Sequence, residues 1–189
     1  NRCENAKPGK TALFLRRRQI MVGTGSKGSD GASTPQNTHT IMLRIVIIED
    51  QIMFRSALTV MLESKIQASV IGGYASCAAF QEALPSLGRI SLILLDIQLP
   101  GEDGITFLGR FAKSIPDVKV ILLSSVKEDY LLHKALQSGA DGYVHKDDSS
   151  EALVSAIETV MQGGCYFGYT VQQLRRQMGH NPDSFTKIL

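Results

Sequence analysis

Residues 91–96 read Ser-Leu-Ile-Leu-Leu-Asp, four aliphatic side chains in unbroken succession that are followed at once by a carboxylate. A strand with one face in water alternates apolar and polar residues, whereas a strand covered on both faces is apolar almost throughout. Leu43–Ile48 and Lys119–Leu123 have nearly the same pattern. These three segments predict buried strands of a parallel sheet, and Val70–Tyr74 and Gly142–Val144 are weaker strand candidates.

Amphipathic helices are predicted between the strand candidates, because apolar residues recur there at helical spacing. The regular stretches cover residues 54–62, 80–87, 108–115 and 153–161, and a less regular one covers Glu128–Ser138. Strand and helix therefore alternate five times in order. This alternation predicts the α/β class, with a (βα)5 doubly wound parallel sheet that carries helices on both faces.

Length and composition fit one globular domain with flanking sequence and exclude a large multidomain enzyme, since the chain has 189 residues with 43% hydrophobic and 20% charged side chains. No apolar run approaches the roughly 20 residues that a membrane-spanning helix requires. The three cysteines are odd in number and form no Cys-x-x-Cys pair, so they indicate neither a disulfide framework nor a thiolate zinc site. We predict a cytoplasmic protein with no membrane partner.

The two ends of the chain differ from its body. Residues 1–41 contain seven Lys/Arg and two Asp/Glu, whereas residues 42–189 contain 13 and 16, so the body is mildly acidic and its charge does not indicate nucleic-acid binding. Residues 23–40 have no large apolar side chain to bury. We interpret residues 1–41 as a disordered N-terminal extension, of upstream or added sequence. A short helix is predicted over Val171–Met178.

Polar side chains follow four of the five strand candidates, where the carboxyl ends of parallel strands meet at one rim. They are Glu49, Asp50, Asp96, Ser124 and Lys146. Crowded carboxylates repel one another unless a cation lies among them, and Mg2+ prefers such oxygen ligands. A lysine and a hydroxyl beside the metal suit phosphoryl transfer. Asp103, Asp147 and Asp148 lie near predicted helix starts and are assigned to capping and solvation.

Four motifs carry a family resemblance: Ile48–Gln51 (IEDQ), Leu95–Gly104 (LDIQLPGEDG), Leu123–Ser125 (LSS) and Gly139–Lys146 (GADGYVHK). In their order and spacing the chain resembles the receiver domain of two-component response regulators, most closely the LuxR/NarL-type transcriptional regulators. The resemblance implies the flavodoxin-like receiver fold over residues 42–164. It also implies that residues 165–189 are a linker towards a helix-turn-helix DNA-binding domain that is absent from this chain.

The resemblance also assigns roles to individual residues. Asp96 is implied to be the phosphoacceptor, which takes a phosphoryl group from a phosphohistidine of a sensor histidine kinase. The implied Mg2+ ligands are Asp50, Asp96 and the backbone carbonyl of Gln98, with Glu49 acting through a water molecule. The phosphoryl-binding and switch residues are implied to be Ser124, Lys146 and Tyr143.

The partners follow from the same resemblance. They are a sensor histidine kinase, a second copy of the chain in a phosphorylation-linked homodimer, and DNA through the absent C-terminal domain only. Such a domain is not an enzyme in its own right, although it assists its own phosphorylation and dephosphorylation. Because Asp147 stands where many relatives have proline, we predict a trans bond after Lys146.

Three alternative functions remain open from the sequence. A haloacid-dehalogenase-like phosphatase would carry a second aspartate two residues after the nucleophile, where this chain has Gln98. A flavodoxin would need a glycine- and hydroxyl-rich phosphate loop, where this chain has Glu49 and Asp50. A receiver-like interaction module that is never phosphorylated should have lost parts of the site.

Overall fold

A five-stranded parallel sheet forms the centre of the fold. The computed structural model describes residues 42–167 except 116, 127 and 128, so the predicted N-terminal extension and the predicted helix at Val171–Met178 lie outside the described residues. The strands are β1 (Leu43–Ile48), β2 (Ala68–Tyr74), β3 (Leu92–Asp96), β4 (Lys119–Ser124) and β5 (Gly142–His145). Their order across the sheet is β2-β1-β3-β4-β5, and all neighbours are parallel.

One helix follows each strand, as the alternating pattern predicts. The helices are α1 (Ile52–Lys65), α2 (Cys77–Ala83), α3 (Gly104–Phe111), α4 (Asp129–Gln137) and α5 (Ser150–Met161). Helix α2 is shorter than its apolar spacing suggests, because Pro85 cannot donate an α-helical hydrogen bond and the chain continues as a 3-10 turn, Leu84–Ser86. Among the described residues, no helix is both long and apolar enough to cross a bilayer.

The sheet is buried on both faces, which explains its continuous apolar strands. In β1, Ile45 and Ile47 pack against helices α1 and α5, while Val46 and Ile48 belong to the cluster formed with α2, α3 and α4. All four side chains are 0% exposed. From β1 the chain passes to β2 on one side of the sheet, and from β3 it continues to β4 and β5 on the other side. The carboxyl ends of the neighbouring strands β1 and β3 therefore open into the crevice where α/β sheets bind their ligands.

The segment after α5 covers the outer edge of β5. Tyr166 forms a parallel bridge with Gly142, the Tyr143 N–H donates to the Tyr166 carbonyl at 2.6 Å, and Phe167 is buried in the cluster on the α4 side. The packed unit therefore continues through Phe167, three residues past the predicted domain end at Gly164. The helical pattern stops at the glycines after α5, and the sequence gives no comparable indication of this short edge pairing.

Candidate functional site

Three carboxylates gather where β1 and β3 end. Glu49 and Asp50 directly follow β1, and Asp96 is the last residue of β3. One carboxylate oxygen from each residue lies within 4.8 Å of the other two. Glu49 is 0% exposed and Asp96 is 1% exposed. Buried like charges at this spacing require a compensating cation.

Lys146 supplies positive charge to this cluster. Its Nζ atom lies 2.7 Å from Glu49 Oε2 and 2.7 Å from Asp96 Oδ2, and the side chain is only 8% exposed. The ammonium also lies over the ring of Phe54 in α1, 5.0 Å from the ring centroid. The Lys146 N–H donates to the Ser124 carbonyl at 2.7 Å, which fixes the main chain just after β5. The lysine thus bridges two carboxylates at the carboxyl ends of β1 and β3.

The pKa values of this cluster reflect burial and mutual contact. Burial raises the pKa of Glu49, the Lys146 hydrogen bond lowers it, the charge of Asp96 raises it again, and the net pKa lies above the usual 4.5. Burial lowers the pKa of Lys146, but its hydrogen bonds to Asp96 and Glu49 outweigh that effect and the net pKa lies above 10.5. Lys146 therefore stays charged, and one ammonium faces three carboxyl groups.

The backbone around Asp96 is fixed from two sides. Asp96 Oδ1 accepts a hydrogen bond from the Gln98 N–H at 3.0 Å, which turns the following peptide towards the cluster. Gly104 at the start of α3 lies against the same residue, and a Cβ atom there would be 2.2 Å from the Asp96 carbonyl oxygen. Glycine is therefore required for this close approach. In the sequence, Gly104 is visible only as the last residue of the Leu95–Gly104 motif, which does not indicate this contact.

Ser124 and Tyr143 form a second group beside the carboxylates. Their hydroxyls each donate to the carbonyl oxygen of Val126 at 3.0 Å, and Ser124 Oγ also accepts from the Val126 N–H at 3.1 Å. Ser124 is completely buried, whereas Tyr143 is half-buried. One acceptor in the loop after β4 thus connects the two hydroxyl groups.

The acidic residues near helix starts have local partners. Asp103 is the N-cap of α3 and accepts from the Ile105 N–H at 3.0 Å, as predicted. Asp148 accepts from the His145 N–H at 3.1 Å, and Asp147 is exposed. No cis peptide bond occurs among the described residues, which confirms the trans bond predicted after Lys146. Glu102, for which the sequence pattern predicts no role, accepts from the Cys77 N–H at the start of α2 at 2.6 Å.

The donor set of the cluster fits a hard divalent cation. Its available ligands are carboxylate oxygens from three residues, two of them buried, and no histidine or cysteine takes part. Magnesium accepts a small number of carboxylates and completes its octahedron with carbonyl, water or phosphate oxygens. The excess of carboxyl groups over ammonium groups gives the charge balance that such an ion requires.

Comparison with known proteins identifies the family to which the chain belongs. Residues 45–158 match the family described as the response regulator receiver domain, and the chain belongs to that family. The transcriptional regulatory protein LnrK of Bacillus subtilis (strain 168) is 34% identical over 125 residues, which cover 65% of this chain and 56% of LnrK. The response regulator UvrY of Escherichia coli (strain K12) is 30% identical over 132 residues, which cover 70% of this chain and 60% of UvrY.

Solved structures agree on the fold. The isolated receiver domain of RcsB from Salmonella enterica serovar Typhimurium, determined with the phosphomimetic BeF3−, has a TM-score of 0.64 at 22% identity and covers 70% of this chain and 97% of that one. A LuxR-family two-component response regulator from Aurantimonas sp. SI85-9A1 has a TM-score of 0.66 at 20% identity and covers 75% and 100% of the two chains. The predicted receiver fold is confirmed.

The relatives are longer than the part that matches. The chain spans 56% of LnrK and 60% of UvrY. The comparison therefore identifies a signalling domain, and the activity of a whole regulator is a separate proposal.

Proposed function

We propose that this receiver domain accepts a phosphoryl group on Asp96 from a sensor histidine kinase in a Mg2+-dependent reaction. One observation supports the proposal most directly: Asp96 is buried at the end of β3, within 4.8 Å of two other carboxylates, and shares Lys146 with one of them. A purely structural aspartate would not need two neighbouring acids at this spacing. An acceptor that works with a metal ion does.

The transfer is a displacement at phosphorus. An Asp96 carboxylate oxygen forms the new bond to phosphorus while the bond to the donor imidazole nitrogen breaks, and the imidazole keeps that electron pair. Asp50, Asp96 and the Gln98 carbonyl oxygen would hold Mg2+, with Glu49 acting through a water molecule. When bound, the ion offsets the negative charge that develops on the phosphoryl oxygens. The residues of the chain position the reacting groups and balance their charge, and no separate substrate is turned over.

Lys146 and Ser124 would then stabilise the product. Lys146 contacts Asp96 Oδ2 at 2.7 Å and can transfer this contact to a phosphoryl oxygen. Ser124 Oγ can turn from the Val126 carbonyl to another phosphoryl oxygen. Because Tyr143 donates to the same carbonyl, that rotation changes the surroundings of Tyr143 as well. We propose this coupling as the switch that alters the face formed by α4, β5 and α5.

A small acyl phosphate tests the proposed function without a kinase. With Mg2+ and acetyl phosphate, the intact mass of the chain is expected to rise by one phosphoryl group, and without Mg2+ it is expected to stay constant. A folded chain that binds Mg2+ but takes up no phosphate would support the interaction module instead. Repeated hydrolysis of phosphate esters would support the phosphatase.

We propose that the whole protein is cytoplasmic and that phosphorylation of this domain controls transcription through a C-terminal helix-turn-helix DNA-binding domain. LnrK is a transcriptional regulatory protein, and RcsB has been solved as two dimers bound to two parallel DNAs, at 21% identity to this chain. These properties belong to the relatives, and their family likeness motivates the proposal for this chain.

Phosphorylation-linked dimerisation is a separate prediction. Light scattering of the chain with Mg2+ is expected to give the mass of a monomer, and addition of beryllofluoride, a phosphoryl mimic, is expected to double that mass. The increase should be absent from Asp96→Asn. An unchanged mass in the wild-type chain, with beryllofluoride shown to be bound, would contradict dimerisation and leave phosphorylation itself unaffected.

A further inference from the structure

Arg55 holds the main chain of Glu49 from the first turns of α1. Its guanidinium Nη1 donates to the carbonyl oxygen of Glu49. On the other side of the same residue, the Glu49 N–H donates to the Tyr74 carbonyl of β2 at 2.8 Å. Both main-chain polar groups of Glu49 are therefore fixed by neighbouring elements. The arginine lies on the β2 side of the site, while Asp96 lies on the β3 side.

Gly73 provides the space that the arginine needs. A Cβ atom at Gly73 would lie 3.0 Å from Arg55 Cδ and 3.3 Å from Nε, so the stem of Arg55 crosses directly over this glycine. A methyl group at position 73 would push the stem outward. The glycine in β2 and the arginine in α1 thus act as a pair.

Glu49, whose main chain this pair fixes, has a flexible side chain for a metal ligand. A glutamate has one more side-chain torsion than an aspartate, so its carboxylate is less well fixed by its own backbone. At Glu49, Oε1 accepts the Gln51 N–H at 3.1 Å and Oε2 contacts Lys146. Both contacts presuppose that the Glu49 backbone is already in place. Outer-shell groups that orient a ligand change metal affinity without touching the metal.

We propose that Arg55 is a positioning residue for the metal site: it fixes the main chain of Glu49 so that the carboxylate is preset for the cation. The inference rests on the proposed function, because it assumes that Glu49 contributes to Mg2+ binding. Charge alone predicts the opposite effect, since a guanidinium near the site repels a divalent cation. Removing Arg55 therefore distinguishes the two effects: weaker Mg2+ binding indicates positioning, and tighter Mg2+ binding indicates charge repulsion.

Four variants of the full 189-residue chain test the inference, with Mg2+ binding measured by calorimetry and by the Mg2+-dependent shift in melting temperature. Arg55→Met removes the donor and is expected to weaken Mg2+ binding about tenfold, at the low end of outer-shell effects. Arg55→Lys keeps the charge and one donor group and should give an intermediate affinity. Gly73→Ala keeps the guanidinium but displaces it, and should weaken binding in the same direction.

Arg44→Met is the matched control. Arg44 also donates its guanidinium to main-chain carbonyls, those of Arg89 at 2.7 Å and Leu87 at 3.0 Å, but near the opposite end of β1. It is expected to lower stability without changing Mg2+ affinity. A loss of stability in both Arg55→Met and Arg44→Met would show only that each arginine supports the fold. The loss of Mg2+ affinity should occur in Arg55→Met and not in Arg44→Met.

Phosphorylation kinetics provide a second measurement. For Arg55→Met, the Mg2+ concentration that gives half-maximal uptake from acetyl phosphate should rise, while the rate at saturating Mg2+ should return close to that of the wild-type chain. Equal Mg2+ affinity in Arg55→Met and Arg44→Met, or tighter binding in Arg55→Met than in wild type, would overturn the inference. If the wild-type chain neither bound Mg2+ nor accepted phosphate, the proposed function itself would fail.

Discussion

Replacement of Asp96 by asparagine is expected to reduce phosphoryl uptake from acetyl phosphate to the background of the measurement. The amide oxygen carries no charge and is a poor nucleophile, so the bond to phosphorus does not form. Asparagine has nearly the same shape, and its oxygen can still accept the Gln98 N–H that Asp96 Oδ1 accepts at 3.0 Å. The fold should therefore persist. Intact mass measures the uptake, and circular dichroism checks the fold.

Asp103→Asn is the matched control for that substitution. Asp103 follows the same strand, is exposed and caps α3, a role that asparagine also performs well. This variant is expected to take up one phosphoryl group, as the wild-type chain does. Stoichiometric labelling of Asp96→Asn at another aspartate, located by peptide mapping, would show that the acceptor has been assigned to the wrong residue.

The fold was predictable because the residue pattern of each strand depends on which of its faces are buried. An apolar run such as Leu92–Leu95 is explained only by cover on both faces, and a parallel sheet with helices between its strands supplies that cover. The pairing of Tyr166 with Gly142 was not predictable, since a single bridge depends on where the chain lies after α5 and not on a periodic pattern. The early end of α2 follows from Pro85, which the apolar spacing alone does not consider.

The site was predictable to the extent that its groups follow strand ends. Glu49, Asp50, Asp96 and Lys146 each stand just after, or at the end of, a strand, and parallel topology brings such positions together. Arg55 was missed because it acts on a main-chain carbonyl, and any residue could provide that acceptor. From its position in an amphipathic helix, Arg55 is predicted to be an ordinary half-buried charged residue. Its hydrogen bond to the Glu49 carbonyl and its crossing over Gly73 distinguish it, and both depend on the folded chain.

Lys146→Met is expected to lower the free energy of unfolding by about 3–5 kcal/mol at neutral pH without Mg2+, because removing one partner leaves buried charges uncompensated. Glu49 and Asp96 both lose their 2.7 Å contact to the ammonium, while the methionine still fills the space beside Phe54. Chemical denaturation in Mg2+-free buffer measures the difference. Wild-type stability under these conditions would contradict the view that Lys146 balances the cluster.

Lys119→Met is the control for the loss of an ion pair elsewhere. Lys119 lies 2.8 Å from the buried Asp141, but its own side chain is 27% exposed. The expected loss of stability is therefore smaller. Because none of the three clustered carboxylates is involved, added Mg2+ should stabilise Lys119→Met and the wild-type chain equally and leave the difference between them unchanged. Lys146→Met, by contrast, should bind Mg2+ more tightly than the wild-type chain, because no ammonium then repels the ion. Its stability difference from wild type should therefore shrink, by about 1.4 kcal/mol for each tenfold gain in Mg2+ affinity.

The pH dependence of Lys146→Met provides an independent check on the cause. The pKa of Glu49 is raised in the folded chain, so its contribution to stability is complete below the unfolded value of 4.5 and is lost as the pH rises through the folded value. Without the Lys146 hydrogen bond, which lowers that pKa, the folded value should rise further. The difference between Lys146→Met and wild type should therefore shrink as the pH falls from neutral towards 4.5. A difference that stayed constant over this range would indicate lost packing against Phe54, because packing does not titrate.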